Sequence, residues 1–321
     1  MTGSCGVSVV VPVRNGFDAL KGCLEALSGQ TIRRRMQVVV SLDGHGPLPE
    51  ALEHLADLVV EGPQAGPAAA RNRGWRASSG SLVLFTDSDC VPEPSWAERM
   101  AQALESGADA VKGVYSRGGN RLVQRLAQVE FQERYRLLSR YSGVDMIDTY
   151  SAGYRREALE VSKGFDESFP FPDHEDVDLS YRLESMGMAL RFAPDARVSH
   201  THRATWSSYF RMKYGRGRWK TRVLRRYPAK AGSDTYTPRC LRLQILMCLL
   251  LPPTLLMLPF NLMPLAVWAS LFLASSMPMA LVALRNDPLT TPLVPVFAFW
   301  RGCALSAGLL RGIFGSGKET A

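Results

Sequence analysis

Leu82-Val83-Leu84-Phe85-Thr86-Asp87-Ser88-Asp89-Cys90 is the stretch on which the reading of this chain turns. Four apolar residues in a row read as a buried strand. Two carboxylates follow its C-terminal end, one residue apart. In an open α/β sheet, ligands bind just beyond the carboxyl ends of the strands. A carboxylate pair there suits a hard divalent cation carrying substrate phosphates. The same residues also suit a plain turn.

Working outward, Val7 to Val13 is a β-branched strand ended by Arg14-Asn15-Gly16. A helix follows with Leu20, Leu24 and Leu27 on one stripe. Met36 to Leu42 is a second strand, ending in Asp43-Gly44, and Leu58-Val59-Val60 a short third. Gly66-Pro67 opens a helix through Ala68-Ala69-Ala70-Arg71-Asn72-Arg73, and the next helix starts near Ser95. Strands alternating with helices predict an α/β fold with a doubly wound, mostly parallel sheet. Arg14, Asp43, Asp87 and Asp89 then stand at strand ends along one crevice.

Downstream, Asp109 to Val114 reads as a strand. Asn120 to Tyr141 reads as an amphipathic helix covering the sheet. Ser151-Ala152-Gly153-Tyr154 reads as an ordered loop before a helix near Arg156. Pro172 to Leu179 opens a further helix whose acidic first turn suits the helix dipole. Met188 to Phe192 is a strand, and Val198 to Arg203 closes the soluble part.

Charge is distributed unevenly. Lys plus Arg number 38 against 30 acids. Ten of the basic residues fall between Arg203 and Lys230, where there is no acid, and Leu243 to Leu284 carries no charge over 42 residues. As one helix that stretch would be about 63 Å long, twice the hydrocarbon thickness of a bilayer. Pro259 and Pro264 flank Asn261, so the reading is a hairpin of two membrane helices over about 243–284. Leu289 to Leu310 is apolar except for Arg301. A third span would put Arg311 and Lys318 outside, against the positive-inside bias, which favours an interfacial helix over about 289–314. The expected division is a catalytic domain over 1–236 and membrane-anchoring helices over 237–321. The basic block beside an apolar one favours anionic headgroups over nucleic acid as its partner. The six scattered cysteines form no Cys-x-x-Cys pair, and the N-terminal apolar run is short for a signal peptide. The expected location is the plasma membrane, with the catalytic domain cytoplasmic.

The motifs together resemble family 2 glycosyltransferases of the GT-A fold. They are Val9-Val10-Val11-Pro12-Val13-Arg14-Asn15, Val40-Ser41-Leu42-Asp43-Gly44, Ala70-Arg71-Asn72-Arg73-Gly74, Asp87-Ser88-Asp89, Gly164-Phe165-Asp166-Glu167, Glu175-Asp176-Val177-Asp178-Leu179 and His200. The resemblance implies a nucleotide-diphosphate sugar as donor and a divalent cation, Mn²⁺ or Mg²⁺, as cofactor. It implies that Pro12, Val13, Arg14 and Asp43 hold base and ribose, and that Arg71 contacts the nucleotide. Asp87 and Ser88 would serve the ribose side, and Asp89 and His200 the metal, with His202 as the competing imidazole. Asp176 would be the general base, and one base with direct displacement predicts inversion. The acceptor would be a lipid-linked saccharide, a glycolipid or a peptide. Gly215-Arg216-Gly217-Arg218-Trp219 keeps the Arg-Trp of processive synthases without their Gln, which favours single transfer. A non-catalytic tethered nucleotide-binding or scaffold protein of the same fold, or a processive polysaccharide synthase, is the alternative.

Overall fold

The computed structural model describes residues 6–14, 16–44, 46–169 and 174–315. Asn15, Pro172, Asp173 and Lys318, which entered the expectations above, lie outside the described residues.

Among the described residues eight strands form one sheet: β1 (Val7–Val13), β2 (Met36–Asp43), β3 (Leu58–Gly62), β4 (Leu82–Thr86), β5 (Cys90–Pro92), β6 (Ala110–Arg117), β7 (Ser151–Arg155) and β8 (Leu190–His200). Their order is β3-β2-β1-β4-β7-β6-β8-β5. The first four are mutually parallel, as the alternating pattern predicts. β7 then runs antiparallel to both β4 and β6, while β8 is parallel to β6 and antiparallel to β5. The α/β sheet is therefore mixed on one side. The helices are α1 (Phe17–Ser28), α2 (Glu50–Glu53), α3 (Pro67–Ala77), α4 (Trp96–Glu105), α5 (Leu122–Leu138), α6 (Arg156–Ser162), α7 (Glu175–Ser185), α8 (Trp206–Arg226), α9 (Lys230–Ser233), α10 (Arg239–Leu256), α11 (Met263–Asn286) and α12 (Val294–Phe314).

The stretch Ser151 to Tyr154, expected as a loop, is instead the inserted strand β7. A glycine inside a short polar run reads as a turn. Here Gly153 leaves room for packing: a Cβ would come within 2.9 Å of Leu84 Cδ2 and 3.2 Å of Leu104 Cδ1. Strand β8 is also longer than expected and carries the chain without interruption to His200.

The described chain forms two compact units, one of residues 6–117 and 141–201, the other of 118–140 and 202–315. These boundaries differ from the expected one at residue 236. The reason is apolar burial within the second unit: Val123, Leu126 and Val129 of α5 share a core with Tyr209, Met279 and Phe297. Helix α5, expected to cover the sheet, thus packs with the tail helices. In the first unit the central strands are buried on both faces, from Val7 to Val11 and Leu82 to Thr86.

Helices α10 and α11 occupy the stretch read as a hairpin, and a short 3₁₀ turn (Pro288–Leu293) leads into α12. Among the described residues three segments, Arg239–Leu256, Met263–Asn286 and Pro288–Phe314, are long and apolar enough to cross a membrane.

Within the second unit lies a buried ionic network. The Glu130 carboxylate accepts from Tyr209 Oη at 2.6 Å and Lys213 Nζ at 2.7 Å and contacts Arg134, with Arg301 Nη1 at 3.6 Å. Burial alone would raise the Glu130 pKa, but Lys213, Arg134 and Arg301 outweigh it and hold the carboxyl well below its usual range. This network accounts for Arg301, the one charge in an otherwise apolar stretch.

Candidate active site

Strands β1, β2 and β4 are parallel neighbours, so their C-terminal ends open along one edge. Half-buried Pro12 and buried Val13 end β1, and exposed Arg14 follows. With the Gln64 amide oxygen turned towards it, Arg14 Nε lies 3.2 Å away. Asp43 ends β2 and is buried. Its carboxylate accepts from the backbone N–H of Ala65 at 2.8 Å and of Gly66 at 3.0 Å, fixing the entry to α3.

Beyond β4 the chain turns at once, with Cys90 N–H donating to Asp87 C=O at 3.0 Å. The stretch is a turn, and it displays two carboxylates. Asp87, Asp89 and Cys90 offer ligand atoms within 4.8 Å of one another. Ser88 is half-buried between the two acids. Strand β5 starts immediately after and pairs with β8, so that Cys90 faces His200. This register brings His200 Nε2 to 3.3 Å from Asp89 Oδ2. The His200 ring stacks on Tyr115 at 5.1 Å, and Tyr115 stacks on Tyr150 at 3.6 Å. His202 is two residues on and belongs to the other compact unit. Its Nε2 meets Gln128 Oε1 at 2.9 Å and its ring stacks on Phe131 at 5.2 Å.

The residues at this turn suit a hard cation. Carboxylate and imidazole are the donors such an ion accepts. The Cys90 thiol is buried, and burial beside Asp87 and Asp89 pushes its pKa well above the usual value. A hard cation prefers carboxylate oxygens to a thiol sulfur.

Arg71, expected at the nucleotide, lies buried behind the carboxylates. Its Nη2 donates to Asp87 Oδ1 at 3.0 Å and its Nη1 to Glu175 Oε1 at 2.6 Å. Glu175 was not singled out in the sequence. Its pKa is pushed up to about 7 by burial and by Asp176, against the pull of Arg71. The signal for it was only the acidic run opening α7, which does not say which acid turns inward. Asp176, next along, stays half-buried and its Oδ1 accepts from the Val177 N–H at 2.8 Å. Two further motifs clasp one another. Asn72 Oδ1 accepts from Phe165 N–H at 2.9 Å while its Nδ2 donates to Phe165 C=O at 2.8 Å. Gly164 allows this approach at φ 71°.

Residues 8–162 match the model of Glycosyl transferase family 2. The chain is 29% identical over 214 residues to Glycosyltransferase AglE of Haloferax volcanii, covering 61% of this chain and 67% of that protein. It is 29% identical over 253 residues to Pre-mycofactocin glycosyltransferase of Mycobacterium tuberculosis, covering 75% of this chain and 52%, about half, of that relative. Among solved structures it resembles the mannosyltransferase PcManGT of Pyrobaculum calidifontis in complex with GDP-Man and Mn²⁺, at TM-score 0.57 and 19% identity over 96% of this chain and 87% of that one. It also resembles GalNAc-T7 with UDP, GalNAc and Mn²⁺, at TM-score 0.50 and 16% identity over 61% of this chain and 43% of that one. Residues 8–162 are thus a family 2 glycosyltransferase domain, set in a GT-A fold.

Proposed function

We propose that this protein is an inverting, non-processive glycosyltransferase working at the cytoplasmic face of the membrane. It moves a sugar from a nucleotide-diphosphate donor to a hydroxyl of a lipid-linked saccharide, glycolipid or peptide. The observation that carries the reading is the Asp89–His200 contact at 3.3 Å, made beside Asp87 at the open end of β4.

In this reading Asp89 and His200 would hold a divalent cation, which would supply positive charge to offset that of a departing diphosphate. Pro12, Val13 and Arg14 border the base and ribose from β1. Asp43 contributes by holding the Ala65–Gly66 backbone in place as well as by facing the base. Asp87 and Ser88 serve the ribose side. Arg71 orients Asp87 from behind and offsets part of the pKa rise that burial imposes on that carboxyl, so its part in nucleotide binding runs through Asp87. Asp176 takes the proton of the acceptor hydroxyl as its oxygen bonds to the anomeric carbon. The bond from that carbon to the diphosphate breaks on the opposite side, giving inversion. General base catalysis of this kind is typically worth about 10²–10⁴-fold. The location is supported by the basic α8 and the apolar helices α10 and α11.

The test is sugar transfer by the purified full chain, with Mn²⁺ and after chelation. Transfer should require the metal and vanish in Asp89→Ala. Undiminished transfer in Asp176→Asn would remove the base assignment, and a retained anomeric configuration would remove direct displacement.

A further inference from the structure

Helices α8 and α12 are of equal length, 21 residues each, and pack side by side in parallel. Trp206 meets Phe297 at 6.0 Å, and Trp300 Nε1 donates to Trp206 C=O at 3.0 Å. One turn on, Tyr209 packs on Phe297 at 4.6 Å. Further along, Gly217 lies against Leu305 and Gly308, and Gly312 against Arg218 and Thr221. At the far end Arg225 Nη2 donates to Gly312 C=O at 3.1 Å. Contacts advance together over the whole of both helices. Small residues four apart, Gly308 and Gly312, let the backbones approach this closely.

This pairing constrains where α12 lies. By composition α12 is able to span a bilayer. Its partner is not: α8 carries eight Lys or Arg and no acid. Arg211, Arg218 and Arg225 recur every seventh residue and all are exposed. Seven residues are close to two helical turns, so the three line one face. Carrying α12 across a bilayer would carry that arginine face into hydrocarbon. Arg301, inside α12, is turned inward to Glu130 and Glu133 rather than to lipid. The loop between α10 and α11 is different: Leu256, Phe260, Leu262 and Met263 are 72%, 84%, 69% and 64% exposed, with no charge among them.

We infer that α8 and α12 lie as one parallel pair along the membrane surface, with the Arg211/Arg218/Arg225 face on anionic lipid headgroups, and that only the α10–α11 hairpin enters the bilayer. The inference rests on packing within one compact unit and not on the donor site, so each fails separately. It places the two chain ends on the same side of the membrane.

The first test uses the full chain in sealed vesicles, with a protease-cleavable epitope before Met1 and another after Ala321. Both should be cut from the same face. Protection of the second epitope where the first is cut would overturn the surface placement of α12. The second test reads the headgroup contact. The chain is extracted from vesicles of equal phosphatidylcholine and phosphatidylglycerol, and the co-purifying lipid is measured. Wild type should retain an excess of the anionic lipid. Arg211→Gln/Arg218→Gln should lose at least half of that excess, and Arg211→Lys/Arg218→Lys should keep it. An unchanged lipid ratio in the Gln variant would overturn the contact.

Discussion

The Arg71 guanidinium lies 2.6 Å from Glu175 Oε1, and both side chains are almost wholly buried. The two residues are 104 positions apart in sequence. Their contact ties α3 to the first turn of α7 behind the turn that carries Asp87. Removing Arg71 leaves Asp87 and Glu175 without the cation they share and pushes Glu175 further towards its protonated form. Arg71→Met should therefore cost about 3–5 kcal/mol in chemical unfolding. Adding Glu175→Gln should restore part of that loss, and additivity of the two changes would show that the pair is not coupled.

Glu175 also sets a pH dependence. Its carboxyl titrates near 7 in the folded chain against a reference of 4.5. Between these values the folded chain keeps a proton that the unfolded chain has lost. Stability from this group is thus complete below about pH 4.5 and is lost as pH rises through about 7. Glu175→Gln removes the titration. The melting temperature of the variant minus that of wild type should rise from about pH 5 to about pH 8. A constant difference would mean that Glu175 does not titrate in this window.

The two histidines should separate by metal binding. His200 stands beside Asp89, whereas His202 is engaged by Gln128 and Phe131. In calorimetry with Mn²⁺ and a nucleoside diphosphate, His200→Ala should weaken metal binding by about tenfold or more, that is about 1.4 kcal/mol. His202→Ala should bind as wild type does. Equal affinities in all three proteins would take His200 out of the ligand set.

Glu130 is surrounded by Lys213, Arg134 and Arg301. Neutralising it removes the carboxylate that Lys213, Arg134 and Arg301 share within the buried network. Glu130→Gln should destabilise the chain in detergent by about 3–5 kcal/mol. The effect should appear at neutral pH, since the carboxyl is held ionised far below it. A shift in melting temperature indistinguishable from zero would show that the network contributes nothing net.

The contact between α8 and α12 depends on missing side chains. A Cβ at Gly308 would fall 2.1 Å from Tyr214 O and 2.9 Å from Arg218 N, both backbone atoms that cannot swing aside. Gly308→Ala should cost about 1–3 kcal/mol by overpacking. Gly107→Ala is a useful contrast: a Cβ there meets nothing within 4 Å, so any loss comes from its backbone φ of 99° alone.

The parallel half of the sheet was legible because β1, β2 and β4 are largely apolar runs buried on both faces, with β3 a short apolar run at the edge. Its polar ends, Arg14, Asp43, Asp87 and Asp89, marked the edge where the site forms. Strand β7 was not legible, because Gly153 reads as a break until Leu84 and Leu104 are seen pressing on it. Nor was Glu175, since a first turn rich in acids satisfies the helix dipole whichever acid faces inward. The imidazole was legible only as a choice of two.

The sequence by itself determined the alternation of strands and helices through β4, the Asp87-Ser88-Asp89 turn, and an uncharged stretch from Leu243 to Leu284 behind a basic block. Those follow from local patterning, which neighbouring residues suffice to express. The tertiary structure decided which histidine meets Asp89, because that depends on the β5–β8 register. It decided that Arg71 faces Asp87 and Glu175 from behind, because burying a guanidinium requires carboxylates from distant segments. It also paired α8 with α12, because close helix approach depends on glycines facing one another across the gap.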